Sequence, residues 1–81
     1  MQDQTSEQIA KHYSAMLDSV TLINAVVDGT DMVDATAEDK LDAVDRNVRH
    51  LQIMLEQKFW TTEDMTPVNA AIAAGIAYIG Q

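Results

Sequence analysis

The residues of this 81-residue chain with the widest chemical repertoire are its carboxylates, its two histidines and its serines. Asp28, Asp31 and Asp34 raise the possibility of a calcium loop. An EF-hand needs oxygen ligands two residues apart, glycine at the sixth position and glutamate at the twelfth, because the chain must wrap the ion within one turn. Here the acids stand three apart and Gly29 directly follows the first, so the expectation is helix capping and loop solubility. His12 and His50 have no E-x-x-H or H-x-x-x-H neighbour, and the chain has no cysteine, so a metal site would have to be gathered from several helices. His50 adjoins an apolar seam and reads as a half-buried hydrogen-bonding residue. Ser6, Ser14 and Ser19 lack the glycine-flanked turn that exposes a nucleophile. Glu38 and Asp42 share a helix face, yet nothing apolar surrounds them to raise a pKa for general-acid work. No metal, no cofactor and no enzymatic activity are therefore expected.

Charge says more than any single residue. Thirteen acids against five lysines and arginines give a formal net charge of -8. A surface that binds phosphates must be basic, so direct contact with nucleic acid is not expected. The excess is concentrated: Asp28, Asp31, Asp34, Glu38, Asp39, Asp42 and Asp45 stand against Lys40 alone, whereas the residues after Asp45 balance. This acidic segment is the candidate surface for a basic protein partner.

The elements that must carry these residues are helical. Ile9, Tyr13, Met16, Val20, Ile23 and Val27 recur at alternating spacings of four and three, which aligns them on one face of a first helix over about residues 6–27. Leu17 and Val26 widen that face. Thr5 with Gln8 has the form of a capping box, and Asp28-Gly29 supplies a stop. A connection follows in which Met32 and Val33 can tuck under the turn. Thr36 can cap a second helix over about residues 37–59, with Glu38 and Asp39 in the first turn, where they complement the helix dipole. Leu41, Val44, Val48, Leu51 and Leu55 form its seam. Asp42 with Arg46 and Asp45 with Arg49 fall four residues apart on its outer face. The short connection favours an antiparallel hairpin.

Phe59 and Trp60 end the second helix, and Trp60 is expected to plug the junction beyond it. Thr66-Pro67 begins a third helix over about residues 67–79, since proline suits the first helical position. That segment is apolar nearly all round and has to be covered, either by the rest of the chain or by a subunit contact. Ala71 and Gly75, four apart, would let another backbone approach closely. On the second alternative the interface comprises Ala71, Ile72, Gly75, Ile76 and Ile79. The fold expected is thus an all-α single domain over residues 1–81, a helical hairpin plus a short apolar helix. Because a chain of this length builds only a thin core, oligomerisation, most simply a homodimer, is expected to complete it.

No stretch reaches the roughly 20 apolar residues of a membrane span. Residues 1–8 carry neither a basic segment nor an apolar run, so a cytoplasmic location is expected. From His50 onward, His50-Leu51 with Met54-Leu55, Phe59-Trp60-Thr61, Asp64 with Pro67, and Ala71-Ile72 with Ala74-Gly75 resemble short helical proteins encoded by tailed bacteriophages. The resemblance covers about the last 30 residues. It implies a viral accessory or host-interaction protein acting in the host cytoplasm, and brings no catalytic residues with it. The function expected is a small acidic interaction module, of which imitation of DNA is a special case. The alternative is a structural subunit of a larger complex that docks through the third helix.

Overall fold

A computed structural model describes residues 5–80; the ends of the expected domain, residues 1–4 and 81, lie outside them. Three helices, α1 (Ser6–Asp28), α2 (Ala37–Leu55) and α3 (Thr66–Ile79), make up 74% of the described residues, among which there is no strand. Local chemistry sets most of the ends. At the start of α1 the Thr5 hydroxyl accepts from the Gln8 amide at 3.1 Å while the Gln8 side chain accepts from the Thr5 amide at 2.9 Å, a reciprocal capping box. Gly29 closes α1 in the left-handed region, φ +83°, where a Cβ would be strained. Thr36 caps α2 by accepting from the Asp39 amide at 3.1 Å. Pro67 sits in the first turn of α3, where an amide hydrogen is not needed.

The helices pack pairwise, each against both of the others, around Met16, Ile23, Val44, Leu51 and Val68, all fully buried. Succession along the chain makes α1 and α2 antiparallel, and α3 returns alongside α1. Two contacts mark this: Gly75 packs near Ile23, Val44 and Val48, and the Tyr13 hydroxyl donates to the Asp64 carbonyl at 2.7 Å. The bundle is elongated, 42 × 21 × 20 Å, so its two ends are distinct places.

Four expectations need correction. The second helix ends at Leu55 rather than near residue 59, because the amides of Glu56 and Gln57 turn back to the carbonyls of Ile53 and Met54. This tightening frees the chain to bring Phe59 and Trp60 against α1. Leu41, placed in the α2 seam, is 38% exposed, and Ala43, outside the expected seam, is buried beside Val44. Met32 does tuck against the core, with φ +52°, but Val33 beside it is 66% exposed. Finally, Ala71 and Gly75, expected on one alternative to face a second subunit, are buried within this chain on the side of α3 turned toward α1 and α2. One chain encloses this core: α3 supplies the third wall that a hairpin lacks.

The seat for α3 depends on the missing side chain at Gly75. A Cβ there would overlap Val48 Cγ2, and would lie 3.2 Å from Val44 Cγ1 and 3.4 Å from Ile23 Cγ2. Val48 is β-branched and cannot turn aside easily. Gly75→Ala improves helix propensity by about 1 kcal/mol, but overpacking of this kind costs about 1–3 kcal/mol. The expected result is a net loss of stability on the order of 1 kcal/mol in urea unfolding, much of it recovered when Val48→Ala is added. Gly75→Leu should lose several-fold more.

Candidate functional site

The α1–α2 end of the bundle collects the acidic segment. Asp28 is the last residue of α1, Asp31 and Asp34 lie on the connection, and Glu38, Asp39 and Asp42 lie on the first two turns of α2. All six are exposed, whereas Asp45, one turn further along, is half-buried. Arg46 binds Asp42 at 2.9 Å and Arg49 binds Asp45 at 3.1 Å, the two ion pairs among the described residues. Both are exposed and contribute little to stability. The fold uses some of the remaining acids locally. The Asp31 carboxylate accepts from the Met32 amide at 2.7 Å, beside the residue with positive φ, and Glu38 and Asp39 face the positive end of the α2 dipole. Asp28 is different. It stands at the negative end of α1, a helix with no basic residue in its last turn, and the dipole disfavours it there.

The opposite end is aromatic. His12 lies against Phe59 with ring centroids 5.5 Å apart, Phe59 against Trp60 at 4.7 Å, and Tyr13 meets Trp60 edge-on at 6.2 Å. The Trp60 indole donates to the Met54 carbonyl at 2.6 Å. With the polar tips of Trp60 and Tyr13 engaged on backbone carbonyls, the cluster clasps the α2–α3 connection to α1, the plugging role expected of Trp60. Sequence reasoning did not bring His12 and Tyr13 to it, because both come from the far end of the chain.

Between the ends, Ser19 Oγ and His50 Nδ1 lie 3.0 Å apart. A serine beside a histidine is the start of a nucleophile and base pair, but Ser19 is only 7% exposed and no carboxylate bonds His50 among the described residues. The pair satisfies two polar groups at the α1–α2 contact, and no buried side-chain polar atom among the described residues lacks a partner. Nor does any group of three or more potential metal ligands come together there. None of the described helices is long and apolar enough to cross a membrane.

No family model, curated protein or solved structure matches the chain. The functional reading therefore rests on the molecule's own surface. Its exposed outer side of α3, from Ala70 and Ala73 to Ile76 and Ala77, contains the one interface candidate that is open, Ile76 at 52% exposure; Ile72 and Ile79 are half-buried against the core.

The connection beyond Trp60 is tied by two carboxylates. Glu63 Oε2 accepts from the amides of Thr61 and Thr62, both at 3.2 Å, and Asp64 Oδ1 from that of Thr66 at 3.0 Å. Hydrogen bonding to its own amide, and to those of Thr61 and Thr62, holds the Glu63 carboxyl below its usual value of 4.5. The amide and then the hydroxyl of Thr66 hold Asp64 below its usual 3.8. Lowered values mean that these carboxylates support the connection fully above 4.5 and 3.8, and that the support is lost as pH falls through the folded-state values. In an NMR titration, the amide shifts of Thr61, Thr62 and Thr66 should move with midpoints below 4.5 and 3.8 respectively. Glu63→Gln should flatten the response of Thr61 and Thr62 and leave that of Thr66.

Proposed function

We propose that this protein is an interaction module whose acidic end engages a basic surface on a partner protein. The observation that carries this reading is the set of exposed carboxylates at one end of the bundle, in which Asp28, Asp31, Asp34, Glu38 and Asp39 have no cationic partner among the described residues. Packing does not explain them, because none is buried. Capping explains Glu38 and Asp39, and the turn at Met32 explains Asp31. Asp28 and Asp34 have no such role, and Asp28 works against its own helix. A field of one sign attracts an oppositely charged surface from beyond contact distance and raises the rate of encounter. The phage resemblance of the C-terminal part directs the search to a host protein. Where the basic surface is one that normally holds DNA, the same contact amounts to imitation of DNA.

A second reading, a structural subunit that docks through α3, draws on the exposed Ile76 and the uncharged residues around it. Affinity capture from a bacterial lysate separates the two: a stoichiometric basic host protein supports the first, and co-assembly with proteins of the chain's own genome supports the second. With the captured protein in hand, association should slow steeply with added salt, because exposed charges are screened beyond about 8–10 Å at physiological ionic strength. Joint replacement of Asp31, Asp34 and Asp42 by Asn and of Glu38 by Gln should slow association about tenfold at low salt and change dissociation less. Helicity should persist, since all four residues are exposed. An unchanged association rate would leave the acids as a solubility feature and favour the subunit reading.

A further inference from the structure

We draw no further inference here: the strongest candidate, the uncharged outer face of α3 from Ala70 and Ala73 to Ile76 and Ala77, is an unpartnered apolar face, and nothing in the structure shows what covers it.

Discussion

The close approach of α3 to the α1–α2 hairpin at Gly75 is the constraint on which the rest of the structure depends. A hairpin of two helices has a single contact line and leaves most of each apolar stripe in water. Only when a third backbone settles against Ile23, Val44 and Val48 do Met16, Leu51 and Val68 leave solvent completely. The remaining features of the bundle follow from holding that helix in its seat. The aromatic clasp ties the connection before it, the Glu63 and Asp64 carboxylates shape the turn, and Pro67 starts the helix at the right place.

How much of this was legible in the sequence depends on the range of the interaction involved. The Thr5–Gln8 box, the Gly29 stop, the Thr36 cap and the two Asp–Arg pairs are all made between residues at most four apart, and each appears where its pattern places it. The end of α2 was misplaced because Phe59 and Trp60 leave the helix for contacts with His12 and Tyr13, more than 40 residues earlier. Leu41 was misplaced for a related reason. A seam of alternating threes and fours fixes a stripe, but the edge of the stripe is buried only where a third helix covers it. Gly75 does sit at a point of close approach, but what meets it is the side chains of Ile23, Val44 and Val48 of the same chain, and Ala71 is buried beside it on α3. The candidate acidic surface was legible as a charge pattern; that its members share one end of a bundle follows from the antiparallel turn of α1 into α2.

The core and the charge are kept apart, although carboxylates do shape the connections and the start of α2. Among the described residues every fully buried side chain is uncharged, and the seven acids of the candidate surface occupy exposed or edge positions. The two ends of the bundle are consequently open to different duties: one is closed by aromatic packing and backbone hydrogen bonds, and the other presents charge to the surroundings.

The aromatic clasp also determines what the molecule can report about itself. Trp60 is the single tryptophan, with its indole bound to the Met54 carbonyl and its ring edge-on to Tyr13, so its fluorescence monitors the seating of the α2–α3 connection. The acidic end lies across the long dimension of the bundle from that ring. The absence of cysteine offers the complement, since a single thiol introduced at exposed Thr30 would be the sole site for a dye, next to the carboxylates and remote from the native fluorophore. The chain thus provides two optical channels, one for its folding and one for the surface at its other end.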